Sequence, residues 1–210
     1  MTHKKALWLI LAILVIDQCS KVYIKLNYPL TLYGSDAIVD WGWFRLLFIE
    51  NKGMAWGAKL NDFLPFISDD AGKLLLSIFR VGAVSVIGYW LWDAIKKNQH
   101  KLLLIAGSLI FAGAVGNIID SLFYGLLFSG SYGQVAQFLP ADGGYAPLFF
   151  GHVVDMLQFP MFTWVWPEWL PWIGGNSFTF FRPVFNLADT AISTGVGIVL
   201  VFNKKIFPKN

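Results

Sequence analysis

Leu102–Asp120 reads LLLIAGSLIFAGAVGNIID, apolar or small until Asn117 and ending on a carboxylate. A stretch of about 20 such residues crosses a hydrocarbon core as a helix. In lipid a helix satisfies its own backbone polar groups, which an open strand cannot do. Three further stretches have the same character: Ala6–Leu26, Leu74–Ile95 and Val184–Phe202. The spacing therefore predicts a mainly α, integral membrane fold with four transmembrane helices. Glycines 82, 88, 113, 116, 195 and 197 inside these stretches would let helices approach closely.

Composition agrees. The chain has 210 residues, 56% of them hydrophobic and only 14% charged, against about 25% charged in soluble domains. Neither a repeat nor a low-complexity linker divides it, so residues 1–210 are expected to form one membrane-embedded domain. Met1–Lys5 followed by Ala6–Ile16 resembles the start of a signal peptide. Asp17-Gln18 before Cys19 lacks the small residues of a cleavage site, and apolar sequence resumes at Val22, so an uncleaved first span is expected. The single cysteine excludes an internal disulfide, and no Cys/His spacing fits zinc. His3, His100 and His152 are scattered over charged or loop sequence and receive no role.

Lysines set the expected orientation. Lys4 and Lys5 precede the first span, Lys96, Lys97 and Lys101 join the second to the third, and Lys204, Lys205 and Lys209 follow the fourth. Four spans put all three clusters, and both termini, on the cytoplasmic side. Segments of about 27–73 and 121–183 then lie outside. Trp41–Ile49 has the aromatic and branched content of a strand or hairpin, and Trp164, Trp166, Trp169 and Trp172 favour a membrane interface. A small β-containing outer-face subdomain resting on the membrane is expected.

Carboxylates inside such helices are costly and point to function. Gly116–Asp120 and Phe185–Asp189 each place an Asn three residues before an Asp. With the expected topology, Asp120 and Asp189 both fall toward the outer face. Asp17 and Lys21, at i, i+4 spacing, lie at the same level; a helix ion pair is the plain reading. Val153-Val154-Asp155 adds a third candidate carboxylate, Asn51–Gly57 is polar and Gly-rich, and Arg80 inside the second span calls for a carboxylate or water. Two close carboxylates share a proton, so one can activate water while the other polarises a carbonyl. Spacing alone leaves Asp155 a competitor for that chemistry. A transporter would spread its carboxylates through the membrane thickness, and a scaffold would tolerate Asp→Asn changes.

Five ordered blocks make the chain resemble the lipoprotein signal peptidases, the bacterial type II signal peptidases: Asp17–Lys21, Asn51–Gly57, Gly116–Asp120, Val153–Asp155 and Phe185–Asp189. The resemblance implies an aspartic endopeptidase that removes signal peptides from prolipoproteins, cutting before a diacylglyceryl-modified cysteine. It implies a catalytic pair Asp120 and Asp189, with Asp17, Lys21, Asn51, Gly53, Ala55, Asn117, Asp155 and Asn186 supporting the site or substrate. Neither cofactor nor metal is implied. Partners would be prolipoprotein substrate and membrane lipid, not nucleic acid, with the protein acting as a monomer in the bacterial inner membrane and its site toward the outer face. Two departures stand out. Ser121 occupies a position where the family commonly has Arg, and Arg80 is expected to replace that charge beside Asp120. About 25 extra residues, from Leu122 to about Gly151, separate Asp120 from Asp155.

Overall fold

The computed structural model describes residues 1–31, 36–52, 64 and 66–208. Gly53 and Ala55 lie outside the described residues. Helix α1 spans His3–Asn27, α2 Asp69–Lys96 and α3 Lys101–Ile119, which continues through a π-helical turn at Asp120–Tyr124 to Leu127. Among the described residues these three helices are long and apolar enough to cross a membrane. Their sidedness is inverted relative to a soluble protein. Helix α1 buries Asp17, Lys21 and Lys25 while Trp8, Val15, Ile16 and Tyr23 are exposed. That is the arrangement a lipid solvent demands, with apolar side chains outward and charges facing the bundle.

The stretch expected as a fourth span, Val184–Phe202, begins later. Helix α4 covers Leu187–Val201, 15 residues, about 22 Å of axis against a hydrocarbon core of about 30 Å. Its start is moved by two local interactions. Val184–Phe185 pair with a strand, and Asn186 closes a reciprocal capping box with Asp189, satisfying orphan N–H groups of the first turn. A short helix α5, Asn203–Ile206, follows.

Glycine decides how closely α3 and α4 pack. A Cβ at Gly113 would lie 2.2 Å from the Ala188 carbonyl oxygen, and one at Gly195 2.7 Å from that of Ala106. At Gly116 it would meet Asp17 Oδ2 at 2.8 Å. Gly82 and Gly197 face open space, so these two serve no close approach.

Strands β1 (Val39–Asp40), β2 (Arg45–Asn51), β3 (Val153–Gln158) and β6 (Val184–Phe185) form one antiparallel sheet in the order β1-β2-β3-β6. The strand expected around Trp41–Ile49 is thus present, shifted toward Asn51 by a turn in which Gly42 adopts φ +79°. Strands β4 (Phe162–Val165) and β5 (Ser177–Phe180) make a separate hairpin carrying stacked aromatic rings. Register pairs Ile49 with Asp155, Glu50 with Val154 and Asn51 with Val153. This register brings Asn51 and Asp155 together. Gly113→Ala should displace α4 and cost about 1–3 kcal/mol; thermal unfolding in detergent should show a lowered Tm, with Gly197→Ala unchanged.

Candidate active site

The centre of the molecule is a single buried ammonium. Lys21 Nζ lies 2.9 Å from Asp17 Oδ2 and 2.8 Å from Asp120 Oδ2, and donates to Asn117 Oδ1 at 3.1 Å. Its three donors are thereby used. Lys21, Asp17 and Asp120 have essentially no exposed side-chain surface. The i, i+4 pair read from sequence exists, but it is a three-helix junction rather than a surface pair.

Each member of this junction holds another element. The second oxygen of Asp17 accepts the backbone N–H of Ala188 at 2.9 Å, placing a carboxylate at the N-terminus of α4, where orphan donors and the helix dipole favour it. Asp120 accepts from Gln18 Nε2 at 2.9 Å and from the backbone N–H of Val154 at 3.2 Å. Asn186 Nδ2 reaches the Val154 carbonyl at 3.2 Å, Asp155 Oδ1 at 2.9 Å and Asn117 Oδ1 at 3.0 Å. Val154 is therefore gripped at its N–H by Asp120 and at its C=O by Asn186. The side chain that follows, Asp155, is aimed by this grip.

A cavity of about 450 Å³ opens beside the junction, lined in part by Asn51, Arg80, Asn117, Asp155, Phe185 and Asp189. Asp155 and Asp189 both reach it. Asp189 accepts from Asn117 Nδ2 at 2.8 Å and from the Asn186 backbone N–H at 3.2 Å. Asp155 accepts from Asn186 and, at 3.3 Å, from Asn51 Nδ2. Burial, then the neighbouring Asp189 charge, pushes the Asp155 carboxyl up to about 7. A proton on one carboxyl beside a second carboxylate is the arrangement that general acid–base chemistry needs.

The expectation of Asp120 as the partner of Asp189 meets a different geometry. Asp120 is fully buried, spends its oxygens on Lys21, Gln18 and Val154, and is absent from the cavity lining. Helix α3 turns its carboxylate toward α1 because Gly116, one turn earlier, lets Asp17 come close. Arg80, expected beside Asp120, is placed with the other two carboxylates. It lines the cavity and interacts electrostatically with Asp189 and Asp155. Ser121 instead packs inward, its hydroxyl donating to the Asn117 carbonyl at 3.0 Å. The backbone there is crowded by Gly151, where a Cβ would lie 2.1 Å from the Asp120 carbonyl oxygen.

Gln18, which links Asp17, Asp120, the Gly116 carbonyl and Tyr124, was not among the expected site residues. Its signal was a polar amide next to Asp17, within the polar group that interrupts the first span. The backbone of Val154 leaves no mark in sequence at all.

Long apolar helices enclosing a polar cavity with two carboxylates define a membrane enzyme. The chain belongs to the signal peptidase (SPase) II family, which it matches over residues 9–204. It is 45% identical over 194 residues to a lipoprotein signal peptidase of Porphyromonas gingivalis, covering 92% of this chain and 80% of that one. It is 37% identical over 189 residues to one of Amoebophilus asiaticus, covering 89% and 72%. Two solved chains described as a bacterial membrane enzyme share the fold, with TM-scores of 0.61 and 0.60 at 21% and 20% identity. The alignments cover 99% of this chain and 93% and 96% of those chains. The protein is a multi-pass membrane peptidase of the signal peptidase II type.

Removing the shared cation leaves two buried carboxylates uncompensated, which costs about 3–5 kcal/mol when one partner of a buried pair is lost. Lys21→Met should therefore unfold at markedly lower temperature in detergent. An unchanged Tm would show that Lys21 does not carry the junction.

Proposed function

We propose that this protein removes signal peptides from prolipoproteins by cutting before a diacylglyceryl-modified cysteine, with Asp155 and Asp189 as the catalytic carboxylates. Family membership supports the substrate class. The observation that carries the pair is their joint lining of one cavity, with Asn186 bonded to both. Asp120, named by the family resemblance, becomes the residue that holds the strand bearing Asp155.

The chemistry needs no covalent intermediate. A water between the carboxylates gives one proton to the ionised member as its oxygen attacks the scissile carbonyl, and the protonated member gives its proton to the carbonyl oxygen. The resulting tetrahedral diol collapses, the C–N bond breaks, and the proton taken from water passes to the leaving nitrogen. The second diol proton returns to the other carboxylate, restoring the pair. The shared proton belongs to the pair as a whole. Asn117 and Asn186 hold the carboxylates, while Arg80 contributes positive charge to the cavity wall.

The whole chain acts as one peptidase domain. The lysine pattern supports four crossings with both termini cytoplasmic, and Met1–Lys5 lies against Ile95–Lys101 at one end of the bundle. On this reading α4 completes the fourth crossing together with its flanking residues, and the site faces the outer side of the inner membrane. A monomer suffices, because the carboxylates and their supports come from one chain.

The test is cleavage of a diacylglyceryl-prolipoprotein peptide by purified protein in detergent. Asp155→Asn and Asp189→Asn should each lose about 10³-fold or more in kcat while remaining folded. Asp120→Asn should keep measurable cleavage, lowered through misplacement of Asp155. Full activity of Asp155→Asn would overturn the pair.

The pH dependence follows from the raised Asp155 carboxyl. The pair must hold one proton, and with Asp155 raised to about 7 it is lost as pH rises through that value, so kcat should fall on the alkaline side. A profile flat from pH 6 to 9 would contradict a shared proton at Asp155.

A further inference from the structure

A second buried charge cluster lies one turn along α1 from Lys21, around Glu50 of β2. Lys25, one turn beyond Lys21 on α1, is fully buried and paired with Glu50 of β2. It also donates to Ser131 Oγ at 2.8 Å. The rings of Tyr145, Phe128 and Phe48 surround its ammonium at 5.0, 5.4 and 5.7 Å, within cation–π range. Ser131 donates to Glu50 Oε1 at 3.0 Å, and His152 Nδ1 lies 3.1 Å from Glu50 Oε2. The Tyr145 hydroxyl accepts the backbone N–H of His152 at 2.7 Å.

Burial works against the Glu50 carboxylate, but His152 and Lys25 outweigh it and hold the group at about 2. Burial pushes the His152 imidazole down, and its Nδ1 faces the Glu50 carboxylate, which can only accept a hydrogen bond. Nothing in the proposed reaction uses this cluster. Its position explains its presence. Glu50 immediately precedes Asn51, which donates to Asp155, and pairs in register with Val154. His152 lies directly before β3.

We propose that Glu50 is a positioning residue: tied to Lys25, Ser131 and His152, it fixes β2 against β3 so that Asn51 meets Asp155, and residues 128–152 form the clamp that closes this hub. This assigns the long segment after Asp120 a structural duty toward the site. Ser131, Tyr145 and His152, three of the hub's contacts, all come from it. The inference rests on the reading of Asp155 as a catalytic carboxylate.

Glu50→Gln alone would strand Lys25 and could fail to fold, so His152 is the informative position. His152→Phe keeps a ring against Tyr145 and leaves the Lys25–Glu50 pair, but removes the donor to Glu50. The hub predicts a kcat lower by about 10- to 100-fold, as for a small misplacement of a reacting group, with KM within about twofold. It also predicts a moved pH profile. Asp155 is faced by Asp189, Lys21, Arg80, Asn186 and Asn51; weakening the Asn51 donor removes support for its ionised form, so the alkaline limb should shift to higher pH. His152→Asn restores a donor at the Nδ1 position and should recover both kcat and the limb. A merely structural role would lower the folded fraction without moving the limb. Wild-type kcat and profile for His152→Phe, with Asp155→Asn inactive, would overturn the hub while leaving the catalytic pair standing. Activity in Asp155→Asn would instead remove the reading on which the hub depends.

Discussion

The structure depends on the Lys21 ammonium. Two carboxylates and an amide from α1 and α3 converge on it, in surroundings where an unpaired charge would be prohibitively costly. Because each carboxylate accepts hydrogen bonds beyond the one from the ammonium, neutralisation also becomes architecture. Asp17 reaches the first turn of α4 and Asp120 reaches the backbone of β3. One cation thus joins three helices and a strand. Its removal would affect stability and site geometry together, so the two are separable only by variants farther out.

Around this junction the carboxylates divide into two kinds by what surrounds them. Asp17 and Asp120 are saturated by a cation, backbone donors and Gln18, and neither lines the cavity beside the junction. Asp155 and Asp189 accept mainly from neutral amides and line open space. Neutral donors orient a carboxylate without neutralising it, which leaves its proton free to move. Asn186 belongs to both tasks: it caps α4 and bonds to Asp155. A helix start and a proposed catalytic group are therefore positioned by one side chain.

Close helix packing is what permits the junction. Gly116 allows Asp17 to lie against α3, and Gly113 admits the Ala188 carbonyl. On the other flank, the β2–β3 pairing links this frame to the Lys25–Glu50 cluster. The paired strands are held by two ion-paired lysines of α1, through Lys21 and Asp120 at the Val154 backbone and through Lys25 and Glu50 at β2. Strand register, which moves every side chain by a full position if it slips, is the quantity these contacts protect.

Sequence by itself determined the helices and the polar residue set. A run such as Leu102–Asp120 has few alternatives once lipid is the solvent, and the two Asn-x-x-Asp stretches stand out because polar groups there must be satisfied. It could also have marked Lys25, four residues after Lys21 on the same helical face. It did not determine which aspartates meet. Asp120 and Asp189 share a local pattern, but a residue's partners depend on helix rotation and strand register, which are set by contacts between segments 34 to 171 residues apart. The α4 start was likewise misplaced because pairing of Val184–Phe185 with β3 competes with helix propensity. Only the tertiary structure turned Asp120 toward Lys21 and brought Asp155 beside Asp189, since burial and charge compensation act through space and not along the chain.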